Sequence, residues 1–310
     1  MNKKIMTLIG PTAIGKTNFI IEKAKQYPIE IVSVDSALVY KQLTIGANKP
    51  TEEELSLCPH HLINIVDVNK SYNVQEFITD AEAAVQNILN RGKIPILVGG
   101  TMMYIHQLAN GLAKVPYIDK NLEENYLNEL KKISLAELYD RLKKIDPVFA
   151  KKVEFNDTQR IYRGLIVYEF TGRPLSYFWN LNYKSNLSLE IIALYPQDKE
   201  KHRNIILNRL KKMIEMGFWD EVQGLWKDYP NQDLDFWKFV GYRQLLNGLL
   251  GFTSKKESEE KAFFATAQLA KRQKTWIKKL TENIAYVNFD QNGAFSEDFN
   301  KKFEDFLLRY

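Results

Sequence analysis

The sequence predicts an α/β protein, with a three-layer core around a parallel sheet and an all-helical insertion domain. Three observations lead there. β-branched apolar runs alternate with helical patterns as far as Thr101. A glycine-rich turn joins the first of those runs to the first helix. From about residue 112 the strand pattern stops, and it returns only near residue 190. Alternating strands and helices favour a parallel sheet covered by helices. The expected division is a core of residues 1–111 plus 195–310 and an insertion of residues 112–194.

Taken in order, Lys4 to Ile9 reads as a buried strand. The stretch Met1-Asn2-Lys3-Lys4-Ile5 has the charged start of a signal peptide, but the apolar run ends at Ile9 before Gly10-Pro11 and no small-residue cleavage site comes after it, so it reads as the lead into that strand. Lys16 to Lys25 is helical, and Glu30 to Val34 is a second strand ending at Asp35-Ser36. Asn73 with Glu76 forms a capping-box signature ahead of Phe77, Ala81, Ala84, Val85 and Ile88 at helical spacing, and Gly92 stops that helix. Ile94 to Val98 is a third strand, ending in Gly99-Gly100-Thr101. In the insertion, Asn121 to Ile133 is helical, Ser134 with Glu137 makes a second capping box, and Asp157 to Phe170 is a helix closed by Gly172. Glu190 to Tyr195 returns to strand character; helices come next at about 202–216, 219–226 and 259–280, then a short strand from Ala285 to Phe289.

Composition narrows the class. With 45% hydrophobic and 26% charged residues, the 310-residue chain can bury a core. Its one cysteine, Cys58, excludes a disulfide framework and a Cys-based zinc site, and suits a reducing cytoplasm. No apolar stretch reaches membrane-spanning length. The net charge of +5, from 43 basic and 38 acidic residues, is a weak pointer to a polyanionic partner. His60-His61 lacks a third ligand at metal-binding spacing and reads as structural; Glu53-Glu54 reads as surface.

Gly10-Pro11-Thr12-Ala13-Ile14-Gly15-Lys16-Thr17 matches G-x-x-x-x-G-K-[ST] in full, after a strand and opening a helix. The core is therefore expected to be of the P-loop type. Glycines let the backbone curl so that its N–H groups point at phosphate oxygens. The helix N-terminus adds positive potential. Lys16 neutralises phosphate charge and Thr17 is the expected Mg²⁺ ligand. The loop is common to ATP-binding and other nucleotide-binding proteins, whether hydrolases, kinases or transferases, so it does not name the compound. An ATPase would place an acid on a later strand, but Ile94 to Val98 ends without a carboxylate. The acid comes early, at Asp35, which suits a general base near the phosphate site. The same carboxylate fits a cap at Ser36 or support of the metal.

Several segments carry a family resemblance in order: Gly10 to Thr17, Asp35-Ser36-Ala37-Leu38-Val39-Tyr40, Gly46 to Pro50, and Val98-Gly99-Gly100-Thr101-Met102-Met103-Tyr104. It continues through Asn156-Asp157 to Arg163, Gly241-Tyr242-Arg243-Gln244, and Ala270-Lys271-Arg272-Gln273 to Trp276. Over nearly its whole length the chain resembles the tRNA dimethylallyltransferases, the bacterial isopentenyl-tRNA transferase family. The resemblance implies transfer of a dimethylallyl group from dimethylallyl pyrophosphate to N6 of the adenine beside the anticodon of tRNA. It implies that the loop holds the pyrophosphate leaving group, that Asp35 takes the N6 proton, and that Thr101 faces the same junction. It further implies tRNA contact at Asp35, Ser36, Ala37, Leu38 and Thr101, and at Gln159, Arg160, Ile161, Tyr162 and Arg163. Gly241, Tyr242, Arg243, Gln244, Lys271 and Arg272 complete that set. The target base must leave its stack to reach a sheet edge. A monomer binding the anticodon stem-loop, with Mg²⁺ and no membrane, is the expected form.

By themselves these tRNA residues are less specific. Gln159 and Arg163 share a helix face that fits a solvated surface or a kinase lid equally well. Tyr242 fits base stacking or burial at a helix start. Lys271, Arg272, Lys274, Lys278 and Lys279 fit a phosphate-tracking stripe or a solvated face. The chain also departs from the family pattern. Leu122-Glu123-Glu124-Asn125 stands where relatives place an arginine toward tRNA, and Asp67-Val68 replaces an Asp-Pro. Other classes that fit the loop are an adenylate isopentenyltransferase acting on AMP, ADP or ATP, a small-molecule kinase, and a non-catalytic RNA-binding protein.

Overall fold

The structure, a computed structural model, describes residues 3–289 and 295–310. Met1 and Asn2, part of the expected lead into the first strand, lie outside the described residues. The chain forms two compact units, Met1–Ala109 with Asn186–Tyr310, and Asn110–Ser185.

The first unit begins with β1 (Lys4–Ile9), α1 (Lys16–Ala24) and β2 (Ile29–Val34). It continues with α2 (Glu52–Leu57), β3 (His60–His61), α3 (Val74–Asn90), β4 (Ile94–Gly99) and α4 (Met102–Asn110). The second unit holds β5 (Leu112–Ala113), α5 (Lys120–Leu130), α6 (Leu135–Ile145), α7 (Pro147–Ala150), α8 (Thr158–Thr171) and β6 (Asn182–Tyr183). The chain returns through β7 (Ser188–Pro196), α9 (Lys199–Glu215), α10 (Phe218–Asp228), α11 (Tyr242–Leu249) and α12 (Lys255–Leu280). It ends with β8 (Ile284–Val287) and α13 (Glu297–Leu307).

Six strands form one sheet in the order β3-β2-β4-β1-β7-β8, and every pairing is parallel. In β2 and β4 every residue is buried, and in β1 all but Lys4. Burial on both faces explains why these strands read as near-continuous apolar runs. Register sets the level at which the three strands end. Ile9 pairs with Gly99, and Gly99 pairs with Val34. The next residues along the chain, Gly10, Gly100 and Asp35, therefore leave the sheet at the same level.

Helices cap as their sequences require. Asn73 and Glu76 form both halves of a capping box, and Gly92 takes φ +68° just past α3. At Ser134 only one half forms: its side chain accepts from the Glu137 N–H, while the Glu137 carboxylate turns to Arg141. α1 and α13 bury Phe19, Ile20, Phe299 and Phe303 against one face of the sheet. A second core joins Val39, Tyr40 and Leu43 to α9, α10, α11 and α12.

The unit Asn110–Ser185 has its own core of Leu130, Leu138, Leu142, Phe149, Ile161 and Val167. Gly164 is there because a Cβ would sit 2.6 Å from Leu142. Two expectations need correction. The insertion is not wholly helical, since β5 and β6 pair antiparallel and a 3₁₀ segment spans Leu175–Asn180. Its end also lies earlier than 194. β7 starts at Ser188 and pairs with β1 along Lys4–Ile9, so 188–194 belong to the sheet. The polar start Ser188-Leu189-Glu190 is partly exposed, which hides the strand signal.

Candidate active site

The turn after β1 curls because Ala13 at φ +61° and Gly15 at φ +92° are left-handed. Such a turn aims successive N–H groups into one concavity. Gly15 stands at the N-cap of α1 without a side-chain cap. A phosphate there would meet N–H groups that the helix itself leaves unpaired. The Lys16 ammonium donates to the Gly10 and Pro11 carbonyls, both at 2.9 Å. Burial pushes its pKa down to about 7; the Asp35 charge opposes that and Arg209 adds to it. A buried ammonium so close to losing its proton is poised for a polyanion.

Side chains from distant elements brace the loop. The Gln273 side chain, on α12, accepts from the Thr12 N–H and donates to the Gly100 carbonyl, both at 2.9 Å. A Cβ at Gly100 would meet the Gln273 amide nitrogen at 2.5 Å and push that side chain off its two bonds. Arg209, on α9, donates to the Thr12 hydroxyl at 3.3 Å. His202 meets the Thr12 carbonyl at 2.9 Å, with its pKa pushed down to about 4, first by burial. It is thus neutral at pH 7 and donates from Nε2.

Asp35 starts a turn, not a helix: its Oδ1 accepts from the Ala37 N–H at 2.8 Å and more weakly from the Leu38 N–H at 3.4 Å. Its Oδ2 takes no hydrogen bond among the described residues. The Ser36 N–H donates to the Thr101 hydroxyl oxygen at 3.1 Å, which ties the ends of β2 and β4 together. Thr101 then keeps its own proton to donate elsewhere.

Two cavities meet at these residues. One, of about 150 Å³, lies on the loop and is lined by Lys16, Thr17, Ser33 and His60. The other, of about 360 Å³, has largely apolar walls that include Met102, Leu210, Phe218, Phe239 and Trp276. Thr12, Asp35, Gly100, Arg209 and Gln273 line both. A phosphate cradle thus opens onto an apolar compartment across a polar divide.

Not every expected residue lies on these walls. Ser36, Ala37, Thr101, Gly241 and Arg272 line the larger cavity, and Leu38 the smaller. Tyr242 is fully buried, bonded to Glu221 and packed on Phe218, so its ring is no stacking platform. Gln244 caps its own helix by accepting from the Gly241 N–H, and Arg243 is exposed. Lys271 faces away from Arg272, into another groove. In the second unit, Ile161 is fully buried, Tyr162 half-buried, and Gln159 exposed. Arg160 pairs with Asp157 and Arg163 with Glu123, each at 3.4 Å. Two site residues, Arg209 and Gln273, are not among those the sequence points to. Arg209 is one of many basic residues on α9 and has no motif around it. Gln273 lies in a family-like segment, but only packing shows that it bridges two loops.

Fold and site together define a P-loop α/β protein whose phosphate cradle is joined to an apolar pocket. A family model described as IPP transferase matches residues 38–280. The tRNA dimethylallyltransferase of Legionella pneumophila (strain Philadelphia 1) is 40% identical, covering 99% of this chain and 98% of that protein. That of Neisseria gonorrhoeae is 42% identical, covering 89% and 90%. Among solved structures, the tRNA isopentenylpyrophosphate transferase of Bacillus halodurans superposes with a TM-score of 0.70 at 28% identity, covering 99% and 98%. A eukaryotic dimethylallyltransferase acting on tRNA superposes with a TM-score of 0.80 at 27% identity, covering 99% and 80%. The chain belongs to the IPP transferase family, the family of the tRNA dimethylallyltransferases.

Proposed function

We propose that the protein transfers the dimethylallyl group from dimethylallyl pyrophosphate to N6 of the adenine adjacent to the anticodon in tRNA, releasing pyrophosphate. The observation that carries this is the pair of cavities sharing Asp35, Arg209 and Gln273. A pyrophosphate on the loop would put its allylic carbon at that divide, and an adenine in the larger cavity would bring N6 to the same place. The cytoplasm is the location that suits such an acceptor, and no described helix is long and apolar enough to cross a membrane.

Each residue then has a task. The Gly10–Thr17 loop and the Lys16 ammonium bind the pyrophosphate, and Arg209 meets its charge from α9. The loop does so through its backbone N–H groups, except at Pro11, which has none, and at Thr12, which gives its own to Gln273. The allylic C–O bond breaks with its electron pair going to the pyrophosphate oxygen. N6 forms the new C–N bond and gives its proton to Asp35 Oδ2, the oxygen that the turn leaves free. The Thr101 hydroxyl donates to a pyrophosphate oxygen as its charge grows. Apolar walls at Met102, Phe218 and Trp276 keep water from the allylic cation.

Magnesium fits as an ion shared with the substrate. No cluster of three His, Cys, Asp or Glu side chains that could hold a metal occurs among the described residues. Mg²⁺ needs none, because it keeps waters and takes one or two protein oxygens beside substrate phosphates. The Thr17 hydroxyl is the donor this chain offers, and the bound ion would neutralise pyrophosphate charge.

The test is a product assay. Protein, Mg²⁺ and dimethylallyl pyrophosphate are mixed with unmodified tRNA in one tube and with AMP, ADP and ATP in another. Isopentenyladenosine from tRNA alone is the expected result. Product from free nucleotides alone would make the protein an adenylate isopentenyltransferase. ATP consumption without either product would make it a kinase.

A further inference from the structure

Glu221, on α10, lines neither cavity, yet it holds a turn that borders both. Its carboxylate accepts from three successive backbone N–H groups: Thr44 and Ile45 reach Oε2 at 3.3 and 2.6 Å, and Gly46 reaches Oε1 at 3.2 Å. From the start of α11 the Tyr242 hydroxyl donates to Oε1 at 2.5 Å. Burial, and after it the Glu221 charge, push that phenol above its usual range, so it keeps its proton and goes on donating. Backbone N–H groups of Ala47 and Gly46 face its oxygen and oppose that shift. The N–H groups of four consecutive residues thus turn toward one carboxylate and one phenol. A run of inward N–H groups is the geometry that elsewhere holds an anion, and here the protein supplies its own.

The turn is fixed from its other side as well. The Asn48 N–H donates to the Ile45 carbonyl at 2.9 Å and the Lys49 N–H to the Thr44 carbonyl at 3.0 Å. The Lys49 ammonium donates to the Tyr40 and Lys41 carbonyls at 2.9 and 3.0 Å. Gly46 lies directly against two rings, since a Cβ there would come within 2.2 Å of Phe218 and 2.5 Å of Tyr242. Gly46 and Ala47 both line the larger cavity, and Ala47, like Asp35, lines the smaller one too. That stretch of wall is backbone and one methyl group, which leaves room for a planar ring beside Asp35.

We propose that Glu221 and Tyr242 are positioning residues for the acceptor: they fix the turn at residues 44–47 as the wall against which the target adenine lies while its N6 faces Asp35. The inference rests on the reading of the protein as a tRNA dimethylallyltransferase. Neither residue touches substrate; both act through the backbone of the turn. Reacting atoms must be held about 3 to 3.5 Å apart, and a wall that yields lets the ring drift out of that range.

The experiment compares the wild-type protein with Tyr242→Phe, which removes only the hydroxyl, and with Glu221→Gln, which keeps the side chain's length but turns an amide donor toward the N–H groups. Three quantities are read well below each protein's unfolding midpoint. They are the single-turnover rate with tRNA and dimethylallyl pyrophosphate both saturating, KM for the isoprenoid pyrophosphate, and hydrogen exchange at the Ile45 and Gly46 amides. Exchange should quicken at both amides. The rate should fall by about threefold in Tyr242→Phe and by about tenfold or more in Glu221→Gln. KM for the isoprenoid pyrophosphate should hold within about twofold, because Gln273, Arg209 and His202 brace the phosphate loop separately. A rate equal to the wild type's beside faster exchange would make the pair a brace of the fold alone and overturn the proposal. A raised KM with an unchanged rate would also overturn it, by giving the turn to the phosphate cavity. Wild-type protein that prenylates AMP but not tRNA would sink the tRNA reading and leave the wall to be read with AMP as acceptor; wild-type protein that prenylates neither would sink both.

Discussion

The segments Gly10–Thr17 and Gln159–Arg163 are both binding segments by resemblance, yet they are built on different physics. In the first, binding would fall to the backbone. Two left-handed residues set the curl, and Gln273, Arg209 and His202 brace it at Thr12. In the second, binding would fall to side chains on one face of α8. Ile161 is spent on the core, and Arg160 and Arg163 are paired with Asp157 and Glu123. A backbone site is constrained at every residue, whereas a side-chain surface is constrained only in its polarity. The first should therefore break sharply when touched, and the second should weaken by degrees.

The largest effect is expected at Lys16. Lys16→Ala should lower kcat by about a thousandfold, the size seen when a transition-state charge partner is removed. Affinity for tRNA should hold within about twofold, since on the proposed reading the polynucleotide touches other residues. Gln273→Ala comes next. It strands the Thr12 N–H and the Gly100 carbonyl, at a cost of about 2 to 4 kcal/mol in denaturant unfolding. It should also raise KM for the isoprenoid pyrophosphate, and stability loss with no KM change would detach Gln273 from the cradle.

A third expectation comes from the lowered Lys16 pKa of about 7. Near pH 8 the free protein holds Lys16 mostly neutral, and a bound pyrophosphate favours the ammonium. Binding should therefore take up close to one proton near pH 8 and almost none near pH 6, where Lys16 is already charged. Calorimetry in buffers of different ionisation enthalpy reads this directly, once the same experiment on Lys16→Ala removes the ligand's own contribution. Equal uptake in the two proteins would mean that Lys16 keeps an ordinary pKa. The smallest effect is expected at α8. Arg163→Ala should flatten the salt dependence of tRNA binding by about one unit of slope. An unchanged slope would leave Arg163 to its surface ion pair with Glu123, which contributes little by itself.

Legibility in the sequence obeys the same division. β1, β2 and β4 are legible because burial on both faces leaves continuous apolar runs. The phosphate loop is legible because backbone conformation demands particular residues at particular spacings. The start of β7 is not, since Ser188 and Glu190 are polar and Glu190 pairs with Arg309. β3 is two residues long and carries no periodicity. α13 has a signal in Phe299, Phe303 and Phe306 at helical spacing, one that the strand–helix pattern of the core does not pick out. Arg209 cannot be told from the other basic residues of α9, because only tertiary packing turns it toward Thr12. Tyr242 invites a reading from its neighbours in sequence, whereas Phe218 and Glu221, distant in sequence, decide its place.

The division of Asp35 between its two oxygens is the point at which scaffold and chemistry meet. Oδ1 holds the turn that carries Ala37 and Leu38, and in the proposed reaction Oδ2 would meet the acceptor. Asp35→Asn keeps an acceptor for the turn and removes the base. The direct measurement is the single-turnover rate of tRNA prenylation by this variant, with thermal unfolding and pyrophosphate affinity recorded beside it. The expected result is a rate lower by about a hundredfold or more, the usual worth of a general base, with unfolding unchanged and a fall in rate that persists at saturating isoprenoid pyrophosphate. A rate equal to the wild type's would show that Asp35 only shapes the turn and that N6 loses its proton elsewhere.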